Sequence, residues 1–286
     1  MKQQLHLTVL LAIFCLSINA QTTFQKTYGN NSQYSTIGYS LIQTNNGEYI
    51  LSGTWGVLTS YDNGFLIRVD SLGDTLWTKQ LPIPTSIIST LDGGFRSNFS
   101  KFNSLDNLIW NKLYPFSTPY PPSFLLDGSE KFIQTNDSGY VFLHPTGFCP
   151  SSMCGTHYGV LRTDKNGNAL WLKDYGNNSL TTSLSEGFSP SSIIQTLDNN
   201  FLICGYYYLP SYTNGFNPHI LKINQNGDTL WSKGYRFDTL SSISFSGFFE
   251  IISTTDSGFI VLGTGRGNDS LDGAIVCKLD SAGNPQ

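Results

Sequence analysis

Charge is what this sequence has least of. Asp, Glu, Lys and Arg make up only 13% of its 286 residues, the net charge is −4, and no basic block breaks that balance. A chain without a concentrated positive patch exerts no electrostatic pull on a phosphate backbone, so nucleic acid is not an expected partner. Histidine occurs four times and cysteine five, and the Gly-x-Ser-x-Gly signature of a strained nucleophile turn is absent. His144, His157 and His219 fall in or beside long connecting stretches. His144 and His157 with Cys149 or Cys154 have a loose spacing that would permit a metal site. The simpler expectation for two cysteines five positions apart in one exposed loop, in an oxidising compartment, is a Cys149–Cys154 disulfide. No metal and no cofactor is expected. Apolar residues at helical period are also missing, so almost no α-helix is predicted.

The one long apolar run stands at the start. Lys2 is followed by an apolar stretch from Leu5 to Ile18 and by the small residue Ala20. That pattern is too short and too early for a bilayer span and reads as a cleaved secretory signal over residues 1–20. Cys15 is not an acylation site, because Phe14 precedes it where a small residue is needed. No later segment is long and apolar enough to cross a membrane. The expected product is a single exported domain over residues 21–286, secreted or held at the cell surface, and monomeric.

What the chain does have is repetition. Glycine (28 residues) and aromatics (14%) are abundant, a composition suited to many short strands and tight turns. Leu41-Ile42-Gln43-Thr44 returns as Ile87-Ile88-Ser89-Thr90, Phe132-Ile133-Gln134-Thr135, Ile193-Ile194-Gln195-Thr196 and Ile251-Ile252-Ser253-Thr254. After each comes a turn and an aromatic: Tyr49, Phe95, Tyr140, Phe201 and Phe259. A third run ends in a basic residue before a polar turn (Arg68, Arg162, Lys222, Lys278), and a fourth carries Trp-x-Lys (Trp77, Trp110, Trp171, Trp231). Five such copies at a period near fifty residues predict an all-β, five-bladed β-propeller of four-stranded antiparallel blades. The recurring Trp is expected to wedge between blades, where its large area counts most.

The two ends complete each other. The last copy stops near Gly283, before its Trp-x-Lys strand, while Phe24-Gln25-Lys26-Thr27-Tyr28-Gly29 matches Trp171-Leu172-Lys173-Asp174-Tyr175-Gly176. An N-terminal strand pairing into the last blade would close the ring and remove two sheet edges. The second copy is short, about residues 82–114, with prolines at its margins. A degenerate blade with roughly one strand lost or rearranged is expected there.

In such a meander the turns fall on two faces. The first-to-second and third-to-fourth links are all tight, as at Asn46-Gly47 and over residues 70–74, 164–168 and 224–228. The Asp-rich members resemble calcium loops only superficially, since the Gly and bidentate Glu of an EF-hand are missing at their positions. The long links on the other face carry Trp55, Tyr61, Phe148, Tyr158, Tyr207, Tyr212 and Phe216. These are candidate ligand-binding residues, able to stack on sugar rings or grip a peptide. A glycosidase would need two carboxylates converging on one cleft. Near the inner strands only Glu130, Glu186 and Glu250 are available, and no catalytic residue is assigned. Cys204 and Cys277 align with apolar positions and read as buried small hydrophobes.

The phrase Gln-Thr-x-Asp, seen at residues 195–198, with Trp171-Leu172-Lys173-Asp174-Tyr175-Gly176 and Thr254-Thr255-Asp256-Ser257-Gly258-Phe259-Ile260, resembles the secreted β-propeller repeat proteins that often carry a type IX secretion sorting domain. The resemblance covers nearly the whole mature chain and implies a propeller that binds or displays. It implies no particular activity, and the sorting domain itself is not in this sequence. The reading is an exported, non-catalytic module recognising glycan or protein. Its alternatives are a glycoside-processing enzyme using the propeller channel and an architectural segment of a larger surface protein.

Overall fold

The computed structural model describes residues 23–28, 35–56, 63–81, 86–97, 99–112, 114, 131–145, 158–175, 187–208, 216–235, 244–266 and 272–286. Among them every regular element is a β-strand, and the strands fall into five antiparallel sheets taken in chain order. The first holds β1 (Ser35–Gln43), β2 (Tyr49–Gly56), β3 (Asn63–Val69) and β4 (Thr75–Leu81). The second holds β5 (Ile87–Ser89), β6 (Phe95–Ser97), β7 (Ser100–Phe102) and β8 (Leu108–Asn111). The third holds β9 (Phe132–Gln134), β10 (Tyr140–Pro145), β11 (Tyr158–Thr163) and β12 (Ala169–Tyr175). The fourth holds β13 (Gly187–Gln195), β14 (Phe201–Tyr208), β15 (Phe216–Ile223) and β16 (Thr229–Gly234). The fifth has three strands, β17 (Ser244–Ser253), β18 (Phe259–Arg266) and β19 (Asp272–Leu279). Each is a meander of nearest neighbours, the sheet type of a propeller blade. First strands of successive sheets touch, β1 with β5, β9 with β13 and β13 with β17, which places them on the inner side.

The second sheet corrects the expectation of a lost strand. All four strands are present, but each is cut to three or four residues. Most of the shortening lies in the strands, since β6 and β7 have three residues each against eight in β2 and seven in β3, and the link between them is short as well, with Arg96 pairing with Lys101. Elsewhere that link is long. A short blade therefore arises by trimming every strand together with the link, with the sheet order intact.

The tight turns explain the conserved-looking punctuation within the chain. In the third-to-fourth links the leading side chain accepts backbone N–H groups two and four residues on, as Asp70 Oδ1 does from Leu72 and Asp74, both at 2.8 Å. Asp164, Asn224 and Asp280 repeat this, and so does Asn103 in the second sheet. The fourth turn residue is left-handed, which suits Gly73, Gly167, Gly227 and Gly283; Asp106 takes that conformation in the second sheet at φ 62. These side chains are committed to turn geometry, which is the hairpin reading of the Asp-rich segments.

Packing between sheets follows the repeat. One cluster joins Ile50 and Leu66 of the first sheet to Ile87, Phe95 and Phe102 of the second. The next joins Trp110 and Tyr114 to Phe132, Tyr140, Phe142 and Leu161. The third and fourth sheets meet around Val141, Val160, Ile193, Phe201 and Ile203, and the fourth and fifth around Leu202, Ile220, Phe248, Ile251 and Val261. The Trp-x-Lys-x-Tyr strand is the bolt. Tyr175 donates to the Gly227 carbonyl, Lys173 reaches Asp228 at 2.7 Å, and the Trp171 indole N–H donates to Gln225 O at 2.8 Å. Tyr114 on Gly167 (3.0 Å) and Tyr235 on Gly283 (2.8 Å) repeat the hydroxyl bond. In the basic column Arg162–Asp137, Lys222–Asp198 and Lys278–Asp256 join a third strand to its own blade's first turn, while Arg68 meets Glu48 of its own first turn and also Asp106 of the second sheet.

Residues 23–28 carry no strand ladder, yet they make the bolt contacts on the first sheet. Tyr28 donates to Gly73 O at 2.8 Å, Lys26 meets Asp74 at 2.5 Å, and Phe24 lies over Gly73. Tyr28 also packs against the cluster of Phe65, Ile67 and Val69. Meanwhile Leu279 pairs with Pro285, as Ile223 pairs with Thr229 at the start of a fourth strand.

Two faces stay uncovered. Leu41 is 61% exposed, whereas its counterparts Ile87, Phe132, Ile193 and Ile251 are all at 5% or less. On the fifth sheet Val276 is 67% exposed, whereas its counterparts Leu66, Val160 and Ile220 are at 0%. Ile252 and Leu262 lie open beside it.

Candidate functional site

The long-link end of the sheets carries an arrangement that the linear sequence hides. Trp55 and Tyr207 occupy the same repeat position, six residues beyond Tyr49 and Phe201 that open β2 and β14. Their neighbours correspond too. Trp55 stacks on Phe65 of β3 with centroids 5.1 Å apart at 26°, and Tyr207 lies 5.6 Å from His219 of β15. Trp55 and Tyr207 are half-buried, each with a ring contact to a third-strand side chain. The pairing register that places them is continuous: Trp55 faces Asn63 and Tyr207 faces Asn217.

His219 is held among rings. Phe188 sits 5.0 Å away, edge to face, and the ring Nε2 is 2.7 Å from Ser232 Oγ. Burial pushes the imidazole pKa down to about 4, so the ring is neutral at physiological pH. The Ser–His contact has the reach of a nucleophile and a base. Among the described residues no group of three or more His, Cys, Asp or Glu side chains that could hold a metal includes it, and the two partners lie on the paired strands β15 and β16 of one sheet. It reads as a structural hydrogen bond.

Tyr158 is a correction. It is fully buried, stacked on Tyr175 at 5.7 Å and packed on Phe188 at 4.9 Å, so it belongs to the core between the third and fourth sheets. It opens β11, whose every described side chain is buried, and its aromatic character was therefore a core signal. Burial raises its hydroxyl pKa well above the usual phenol range. Phe216 is the first residue of β15 and pairs with Tyr208; its side chain lies outside what is described. Tyr61, Phe148, Tyr212, Cys149, Cys154, His157, Glu130, Glu186 and residues 1–20 also lie outside the described residues. Cys204 and Cys277 are free and buried, as expected of small hydrophobes.

On the inner side, Glu250 of β17 accepts a hydrogen bond from Ser192 of β13, tying the fourth sheet to the fifth. The glutamine of the inner strand does the same work at two other junctions. Gln134 Oε1 accepts from Leu91 N and Gln195 Oε1 from Asn136 N, both at 2.8 Å, bridging sheets two to three and three to four. The repeat column was visible in the sequence, but its role as a cross-blade clamp was not.

No protein-family model matches the chain, and no curated protein matches it. Solved structures do. Polysaccharide lyase Uly1 superposes with a TM-score of 0.54 at 11% identity, covering 94% of this chain and 77% of that one. An endo-arabinase from Bacteroides thetaiotaomicron gives 0.38 at 9% identity over 81% and 89% of the two chains, respectively. The GH43 endo-arabinanase of Bacillus licheniformis gives 0.36 at 11% over 92% and 100%. At these identities the likeness to Uly1 establishes a shared fold across nearly the whole chain. The other two superpositions are too loose to carry an argument.

Proposed function

We propose that this chain is a closed five-bladed propeller, exported from the cytoplasm, that binds a glycan over its long-link face without catalysing a reaction on it. The observation that carries the binding reading is the repeated pair of half-buried rings at the long-link end, Trp55 over Phe65 and Tyr207 beside His219. Flat aromatic faces held rigid from behind bury sugar C–H surface at little entropic cost. The opposite face offers turn residues already committed to backbone geometry. Tyr61, Tyr212 and Phe216 belong to the same set of long links and extend the proposed surface. Polysaccharide-acting proteins include one with this fold, Uly1; the fold is compatible with a glycan ligand and does not choose between binding and cleavage. Among the described residues the inner strands carry one carboxylate, Glu250, and it is engaged by Ser192. A protein ligand is the other outcome of the same experiment.

Closure is the structural part of the proposal. The uncovered face of the fifth sheet (Ile252, Leu262, Val276) and that of the first (Leu41) are the two halves of the junction repeated four times elsewhere. Bringing them together would insert residues 24–28 as the missing outer strand, beginning where Pro285 and Gln286 leave off. It would also set Gln43 against the Thr255 amide, as Gln134 is set against Leu91.

The test is a glycan and envelope-protein array followed by calorimetry. Trp55→Ala and Tyr207→Ala should each weaken the identified ligand by about 1–3 kcal/mol, the range of interface anchors. Unchanged affinity in both variants would move the site off this face.

A further inference from the structure

The junction between the fourth and fifth sheets has a hole where two other junctions have a side chain. Gln134 and Gln195 each span their junction: Oε1 accepts the N–H of a turn residue in the preceding blade, and Nε2 donates to a carbonyl in their own turn, Ser138 O at 3.3 Å and Asn199 O at 3.4 Å. The corresponding residue of the fifth blade is Ser253, which is too short to span. A half-open cavity of about 210 Å³ stands there, lined by Leu197, Lys222, Ser253, Thr254, Ser257 and Ser281 among others. At roughly 30 Å³ per water it has room for about seven waters, far more than the missing amide alone.

The polar groups that a glutamine amide would meet remain in place. Leu197 N–H is the counterpart of Leu91 and Asn136 N–H, and Ser257 C=O that of Ser138 and Asn199 C=O; among the described residues neither has a hydrogen-bond partner. A donor and an acceptor facing each other across a gap are complementary to an amide, whose C=O and N–H point in opposite directions. The charges at the site are already paired, Lys222 Nζ with Asp198 at 2.8 Å. What remains around the amide position is hydroxyl: Ser253, Ser257 and Ser281, with the Thr254 hydroxyl donating to Asp256 and left able only to accept.

We propose that this cavity binds the acetamido group of an N-acetylated sugar, with the amide oxygen on Leu197 N–H, the amide N–H on Ser257 C=O, and ring hydroxyls among the Ser and Thr side chains. A free peptide amide shares the amide chemistry but not the ring hydroxyls, and serves as the distinguishing probe. The site lies on the tight-turn face, opposite Trp55 and Tyr207, and is independent of the long-link reading. Substitution of those rings leaves it untouched.

The experiment is a residue-resolved NMR titration of the exported protein with N-acetylglucosamine, glucose and N-acetylglycine methylamide. N-acetylglucosamine should shift the Leu197 and Ser257 resonances saturably, with affinity at least tenfold above either control. Ser253→Gln should plug the cavity and abolish those shifts. Gln195→Ser, in the otherwise native chain, should open the equivalent site and make the Asn136 amide respond, which keeps the test decisive if the first variant fails to fold. Absence of shifts in the parent overturns the proposal, as does an equal response to glucose or to the peptide amide. Persistence of the shifts in Ser253→Gln overturns it as well.

Discussion

Replacing one glycine in each of two turns separates the cost of backbone geometry from the cost of breaking the bolt between blades. Gly47 and Gly227 both have positive φ, +83° and +76°. A Cβ on Gly47 would meet nothing within 4 Å. Gly47→Ala should therefore cost only the left-handed penalty, about 1–2 kcal/mol. A Cβ on Gly227 would come within 2.9 Å of the Lys173 stem and 3.0 Å of both the Trp171 ring and the Tyr175 hydroxyl. All three belong to the preceding blade and are seated by the contacts that hold the junction. Forcing them apart adds about 1–3 kcal/mol of overpacking and forfeits the Tyr175–Gly227 hydrogen bond, about 1 kcal/mol. Gly227→Ala should thus cost about 3–6 kcal/mol in all. Calorimetry reads the difference directly, because each kcal/mol moves Tm by about 2–4 °C in a domain of this size class. In the Tyr175→Phe background the penalty of Gly227→Ala should shrink by about 1 kcal/mol, since the hydrogen bond is already gone. Equal destabilisation by Gly47→Ala and Gly227→Ala would refute the bolt.

Two further perturbations follow from buried groups. Tyr158 is fully buried and its hydroxyl has no hydrogen-bond partner among the described residues, so Tyr158→Phe should raise stability by about 1–2 kcal/mol and leave ligand affinity alone; a loss of stability would contradict this. His219 has its pKa lowered from 6.5 to about 4 by burial, so the unfolded chain binds the proton more tightly; stability should be full above about pH 6.5 and fall by at most about 3 kcal/mol as pH drops through 4. Urea titrations of the parent and His219→Gln should show a flatter acid limb in the variant, and coincident limbs would rule His219 out.

The repeat made the architecture legible because each blade uses the same column of side chains for the same task. Thr44 and Gly47, and Trp171 and Tyr175, are each recognisable from spacing alone, since tight turns and single-strand patterns are short-range, whereas the partner of Arg162, Asp137, lies 25 residues away and was not legible. The second blade misled because sequence length was read as strand count, when the shortening trimmed each strand and the β6–β7 link and left all four strands in place. Tyr158 misled for a different reason. An aromatic beside a long link can face the link or the neighbouring blade, and only packing decides; Phe188 and Tyr175 claim it. The Ser253 cavity was equally written in the sequence, as a serine in a glutamine column, but its meaning needs the amide that Gln195 contacts across the junction. That Trp55 and Tyr207 are counterparts was countable from Tyr49 and Phe201; that each is held by its third-strand neighbour was not, because that depends on strand register.

Ring closure is tested most directly by hydrogen exchange at one amide, with four others as internal standards. In a closed ring the Thr255 N–H donates to Gln43, as Leu91 and Asn136 N–H donate to Gln134 and Gln195. Leu197 and Asn45, whose facing residues are Ser253 and Ser89, have no such acceptor. Measured by NMR on the monomer, Thr255 should exchange as slowly as Leu91 and Asn136, and Gln43→Ala should accelerate Thr255 alone. A Thr255 amide that exchanges as fast as Leu197 and Asn45, and is indifferent to Gln43→Ala, would show that the first and fifth sheets do not meet.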